Sequence, residues 1–221
     1  MPDYDLSTPG GRFKTYWDYW WGDHAFLRLG FQNAFWIDAD MLRCNQPWPF
    51  QLEQWKRRGI KTVINLRGGF DGAFYALEKA TCERLGLKLV DFTVTSREAP
   101  KREKILAAKE LFDTIEYPAL MHCKSGADRA GIMSVLYRHF RKGEPIEVAL
   151  QELGIHRLHV KAGKTGVLDY VFERYLTEGK PKGQTFLEWV ESDAYDPKRI
   201  KADFKTQWWG TLLTEGVVRR E

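Results

Sequence analysis

The chain has 221 residues, 43% hydrophobic and 29% charged, enough for one ordinary domain with a full core plus added segments. This balance excludes wholesale disorder. The net charge of +4, from 34 basic and 30 acidic residues, is too small to argue for a nucleic-acid partner, though it suits an anionic substrate where the charge is focused.

Three widely spaced cysteines, Cys44, Cys82 and Cys123, fit a reducing compartment rather than a disulfide framework. No stretch approaches the apolar length of a membrane span, and residues 1–11 hold no apolar run of the signal-peptide kind. The expected location is cytoplasmic, with attachment to a membrane surface left open.

Residues 12–36 are crowded with aromatics, among them Phe13, Trp17, Tyr19, Trp20, Trp21 and Phe26. They suit helices packed over a core, or a surface that meets lipid headgroups, where Trp and Tyr are favoured. Lys61–Leu66 is a β-branched run after Gly59 and reads as a strand. A helix is expected from Asp71 to Gly86, a strand over Leu87–Val94, and a helix from Pro100 to about Glu116. Ala119-Leu120-Met121 reads as a third strand. A helix follows over Arg129–Arg141, ended by Gly143, and another runs from Pro145 to Leu153.

His156, Arg157, His159, Lys161 and Lys164 then form a basic stretch, either a pocket rim or a solvated face. The tail returns to aromatics with Phe186, Trp189, Phe204, Trp208 and Trp209. Alternating strands and helices imply an α/β fold, a largely parallel central sheet flanked by helices, with ligands at the carboxyl ends of the strands. Three segments are expected: an aromatic-rich N-terminal extension (1–34), a central domain (35–178) and an aromatic-rich C-terminal extension (179–221).

The segment Cys123-Lys124-Ser125-Gly126-Ala127-Asp128-Arg129 lies at a strand-to-helix junction. There the loop amides and the helix N-terminus converge on one spot, a ready anion site. Arg129 can grip two phosphate oxygens in a fork, and Gly126 lets the backbone turn. Such a positive field favours the thiolate of Cys123, and a thiolate facing a bound phosphate is a nucleophile for phosphoryl transfer. The same spacing fails at the other cysteines, since Phe50 follows Cys44 and Lys88 follows Cys82 by six residues.

With His122 before the cysteine and Gly126 inside, this pattern resembles the signature of the protein tyrosine and dual-specificity phosphatase superfamily. Met41-Leu42-Arg43-Cys44-Asn45-Gln46-Pro47 and Gly59–Arg67 resemble the opening of its small bacterial and fungal dual-specificity-like members. The resemblance spans about residues 35–150, and the aromatic flanks lie outside it. It implies a dual-specificity-phosphatase-like fold, Cys123 as nucleophile, Arg129 as phosphate ligand and His122 as support for the thiolate from behind. Lys124, Ser125, Gly126, Ala127 and Ala130 would line the substrate.

The reaction needs a general acid. Superfamily members usually carry an Asp on a loop roughly thirty residues before the cysteine. Here that loop, Thr95–Pro100, has none. Asp128 ranks first, because an Asp beside the loop arginine resembles myotubularins and bacterial phosphatases in which that Asp is assigned the acid role. Its bland alternative is a helix N-terminal carboxylate. Asp91, placed within the strand, ranks second, and Glu98 third.

Lys124 resembles the lysine of phosphoinositide phosphatases, where a second phosphate needs a partner. Ala130 lacks the hydroxyl that most relatives carry after the arginine, so slow hydrolysis of the phosphoenzyme is expected.

The expected activity is phosphoric-monoester hydrolysis through a cysteinyl-phosphate. The substrate is a lipid or inositol phosphate, or a phosphotyrosine or phosphoserine protein, with a membrane surface as a further candidate partner. No metal, cofactor or nucleic acid is expected. The alternatives are a rhodanese-like sulfurtransferase, separable by a thiosulfate assay, and a phosphate- or lipid-binding module with little turnover.

Overall fold

The computed structural model describes residues 4–68 and 70–206. The chain forms two compact units, Met1–Val94 with Ile115–Ala130, and Thr95–Thr114 with Gly131–Glu221.

The first unit holds one five-stranded sheet: β1 (Phe35–Trp36), β2 (Met41–Asn45), β3 (Thr62–Asn65), β4 (Lys88–Asp91) and β5 (Ala119–Cys123). Their order is β1-β2-β5-β3-β4. The β1–β2 pair is antiparallel and the others are parallel. The expected α/β sheet is therefore present, largely parallel and flanked by helices.

β5 is central, paired residue for residue with β2 (Asn45 opposite Cys123) and with β3 (Asn65 opposite His122). β2, β3 and β5 are buried along their whole length, which is why they read as continuous runs rather than alternations. β2 has no strand signal in the sequence because Arg43 interrupts its apolar run. The buried guanidinium is tolerated there because backbone carbonyls receive it, as described below.

Among the described residues this unit includes the α-helices α1 (Pro9–Gly22), α2 (Pro49–Arg57) and α3 (Ala73–Leu85). Thr8 caps α1 by accepting from the Gly11 amide, with Pro9 in the first turn. Gly86 ends α3 in the left-handed region at φ +61°, as expected. Leu42, Leu52, Trp55, Ile60, Val63, Leu87 and Leu120 form one core, and Tyr19, Ala25, Trp48, Ala73 and Leu77 form a second under α1.

The second unit is helical: α4 (Arg102–Thr114), α5 (Asp128–Lys142, beginning in the first unit), the short α6 (Ile146–Ala149), α7 (Val167–Arg174) and α8 (Phe186–Glu191). The expected Pro145–Leu153 helix is α6 followed by a 3-10 turn over Leu150–Glu152.

The C-terminal aromatics Phe186 and Trp189 are fully buried, in tilted and edge-on ring contact with Tyr175 and Phe172, so they are core. Trp208 and Trp209 lie outside the described residues. The N-terminal flank is different. Tyr19 is buried, but Phe13, Trp17 and Trp21 form a ladder one turn apart on the exposed side of α1, Phe13 stacked on Trp17 and Trp17 tilted against Trp21, 69%, 55% and 54% exposed. Among the described residues no helix is long and apolar enough to cross a membrane.

Candidate active site

The loop between β5 and α5 has its carbonyls taken up from outside. The Gln46 amide donates to Lys124 O (3.4 Å). Asn33 Nδ2 donates to Ser125 O (2.9 Å), and Arg43 Nη2 to Gly126 O (2.7 Å) and Ala127 O (3.0 Å). A trans peptide sets its N–H opposite its C=O. Four carbonyls bound outward therefore turn the amides of Ser125, Gly126, Ala127 and Asp128 to the inner side, the arrangement of an anion nest. The Gly126 amide shows this directly by donating to Cys123 Sγ (3.2 Å). Gly126 sits at φ +72°, and a Cβ there would lie 2.7 Å from the Asn45 amide nitrogen, so only glycine fits.

Asp128 and Arg129 open α5, and Arg129 Nη1 donates to Arg67 O (3.4 Å). Cys123, Gly126, Ala127 and Ala130 are buried, whereas Lys124 and Ser125 are exposed. The sequence-selected loop residues are thus brought together around one concave turn.

Beneath the loop, His122 Nε2 lies 2.6 Å from Glu78 Oε1, both side chains fully buried. Gln46 Nε2 donates to the same oxygen (3.0 Å). This chain of contacts ties β5 to α3 and to the end of β2 and fixes the base of the turn. Burial, with Cys123 and Glu78 adding to it, pushes the Cys44 thiol well up, as burial does for Cys82, so both are inert packing cysteines.

The sequence reading missed the residues that shape the loop from outside: Asn33, Arg43, Gln46 and Glu78. It also missed a cluster around Asp23, at the end of α1. Arg28 Nη2 (2.5 Å) and Arg67 Nη2 (2.6 Å) donate to its carboxylate, and Lys124 Nζ lies 3.4 Å away. Arg67 also stacks on Phe74, 3.7 Å from the ring centroid. Burial raises the Asp23 carboxyl, but the Arg67 hydrogen bonds and the charges of Arg67, Arg28 and Lys124 outweigh it and hold it below its ordinary value. Of these, Arg43 and Gln46, within the 41–47 segment, and Arg67, at the end of the 59–67 segment, carried some sequence signal, and Lys124 was already a candidate. Nothing links Asp23 to a partner 44 positions away.

The three candidate acids differ in their surroundings. Asp91, exposed at the end of β4, accepts from Tyr75 Oη (2.6 Å) and Asn65 Nδ2 (3.0 Å). Glu98 lies in the second unit, where a hydrogen bond from Lys201 and that lysine's charge lower its carboxyl. Asp128 stands in the first turn of α5 beside Arg129.

Within the second unit, much of the basic stretch is engaged by carboxylates: buried His159 by Asp169 (2.6 Å), Arg157 by Glu152 (3.6 Å) and Lys161 by Glu173. These three therefore have structural partners of their own.

The family model described as "DSP-PTPase phosphatase fused to NAD+ Kinase" matches residues 38–166, more than half of the chain and including the whole loop. The chain belongs to this phosphatase family. Solved structures show the same fold. A DUF442 protein of Shewanella putrefaciens is 21% identical, with 73% of this phosphatase chain and 99% of that one covered and a TM-score of 0.53. Tk-PTP in its active form is 20% identical (64% and 97% covered, TM-score 0.52). PTPMT1 in complex with PI(5)P is 15% identical (73% and 99% covered, TM-score 0.51). No curated protein sequence matches the phosphatase chain.

Proposed function

We propose that the chain is a cysteine-dependent phosphoric-monoester hydrolase of the dual-specificity type, working through a cysteinyl-phosphate. The observation that carries this reading is the outward capture of four consecutive loop carbonyls, which leaves the amides of Ser125–Asp128 facing inward beside Cys123 Sγ. The phosphatase domain is taken as 35–178, around the family match, with residues 1–34 and 179–221 as extensions.

In the first step Cys123 Sγ forms a bond to phosphorus as the bond to the leaving oxygen breaks. Asp128 gives that oxygen a proton. Arg129 and the loop amides hold the equatorial oxygens. In the second step water attacks phosphorus, passes a proton to Asp128 and releases the Cys123 thiolate. Ala130 offers that departing sulfur no hydroxyl, so the second step is the slower one.

Asp128 is preferred as the acid because it stands in the catalytic turn itself, in the first turn of α5 next to the phosphate-binding Arg129. Asp128→Asn is expected to reduce hydrolysis of an alkyl phosphate about 100-fold and of an activated aryl phosphate less than about tenfold, since only the poor leaving group needs the proton. Steady-state kinetics on both substrates checks this. A selective loss in Asp91→Asn instead reassigns the acid.

The substrate class we favour is a lipid or inositol phosphate, with a phosphorylated protein second. Support comes from Lys124 next to the nucleophile and from the exposed Phe13–Trp17–Trp21 ladder on α1, flanked by exposed Arg12 and Lys14. Trp and Phe beside basic residues suit an anionic lipid surface. PTPMT1 holds PI(5)P on the same fold.

The protein is expected to float with anionic vesicles. Replacing Phe13, Trp17 and Trp21 by Ser should abolish flotation without unfolding, because all three are exposed. A parent protein that stays at the bottom of the gradient removes the lipid-surface reading. A phosphate-release screen over phosphoinositides, inositol phosphates, phosphopeptides and NADP then names the substrate class.

A further inference from the structure

The Asp23 cluster lies beside the candidate loop, yet the steps above give it no work. Asp23 comes from the N-terminal extension, directly after the aromatic helix α1. Arg28, Arg67 and Lys124 surround this one carboxylate, leaving a surplus of positive charge before Arg129 is counted.

The two arginines are buried and multiply bonded. Arg28 also donates to Asp23's own carbonyl (3.1 Å), and Arg67 Nη1 donates both to Asp23 Oδ2 (3.0 Å) and to Gln46 Oε1 (3.1 Å). They hold the carboxylate rigidly.

Lys124 differs. Its side chain is 46% exposed and reaches Asp23 at 3.4 Å, the geometry of a weak surface pair. An incoming anion can engage this ammonium without disturbing the buried arginine pairs. A lysine on a flexible stem normally loses rotamer freedom when it grips a ligand. One already leaning on a fixed carboxylate has lost part of that freedom in advance.

We propose that Asp23 is a positioning residue that sets substrate preference. It holds Lys124 beside the catalytic loop, ready for a second anionic group next to the scissile phosphate, as in a pyrophosphate or a vicinal bisphosphate. The inference rests on the reading of the loop as a phosphate cradle. It makes the N-terminal extension part of the substrate site rather than a covering.

The test uses calorimetric binding of pyrophosphate and orthophosphate to full-length Cys123→Ser protein, so that turnover plays no part. The parent is expected to prefer pyrophosphate by at least about tenfold. Asp23→Asn should cut that preference about fivefold or more, Lys124→Met should remove it, and the double variant should add nothing to Lys124→Met. Asp23→Glu, which keeps the charge, should retain part of the preference.

A purely structural role for Asp23 would lower the melting temperature and both affinities together. An unchanged ratio therefore overturns the proposal. Should Asp23→Asn fail to fold, exposed Lys124→Met still decides, since an intact preference there overturns it as well. A parent that binds both anions alike removes only this inference, whereas a parent that binds neither removes the cradle reading too.

Discussion

Cys123→Ser is expected to abolish phosphate release from an aryl phosphate, a loss of at least about 10³-fold in kcat, while binding of inorganic phosphate survives. The serine hydroxyl stays protonated at neutral pH and is a far weaker nucleophile than a thiolate. The inward amides of Ser125–Asp128 and the Arg129 fork are untouched by the change and still hold the anion. Arg129→Lys should lose activity on a similar scale, because a point charge cannot hold two phosphate oxygens in one plane. Rapid-quench kinetics with calorimetric phosphate binding checks both variants. A Cys123→Ser protein with more than a few per cent of parental turnover would falsify the covalent route. The fold-family assignment would stand regardless.

Arg43→Met is expected to reduce kcat/KM by at least about 100-fold and phosphate affinity with it, although Arg43 never touches substrate. Its guanidinium, fully buried in the middle of β2, holds the carbonyls of Gly126 and Ala127 on the outer side of the loop. A hydrogen bond to a charged group is worth about 1.5–3 kcal/mol, or roughly ten- to a hundredfold in rate if it is lost on the way to the transition state. Two such bonds fall together here, and the freed carbonyls can rotate inward and set lone pairs where the amides should be.

Some stability should be lost as well, because methionine satisfies neither buried oxygen. Arg43→Lys separates the two effects. Both bonds come from the one nitrogen Nη2, and the shorter, more flexible lysine stem places its ammonium less exactly between the two carbonyls, so part of the stability returns while most of the activity stays lost. Calorimetric melting with kcat/KM and phosphate affinity for each variant is the measurement. Normal phosphate affinity in folded Arg43→Met would show that the loop keeps its shape without the clamp.

The strand-helix alternation between residues 61 and 141 was legible because each element obeys a local rule: β-branched Thr62-Val63-Ile64 in β3, glycine at the end of α3, proline ahead of α4. The loop was legible for a similar reason. Seven consecutive residues carry the sulfur, the glycine turn and the arginine, and consecutive residues need no long-range information to be brought together.

β2 was not legible as a strand. A charge in a buried strand looks like an error until the carbonyls 83 and 84 positions away that receive it are known. The aromatic flanks show the same division. Composition predicted that residues 12–36 and the tail would be unusual. Only the packing separated buried Tyr19, Phe186 and Trp189 from the exposed ladder of Phe13, Trp17 and Trp21.

The sequence by itself determined the α/β class and a cysteine-arginine loop at a strand end, because both are written in short-range spacing. The tertiary structure decided which distant groups hold that loop open, Arg43, Asn33 and Gln46 at its carbonyls and Glu78 behind His122. It also decided that Asp23 of the N-terminal segment stands against Lys124. A buried polar group is stable only beside its partner, and which partner it meets is set by the pairing of β2 with β5 and the docking of α1, not by neighbours along the chain.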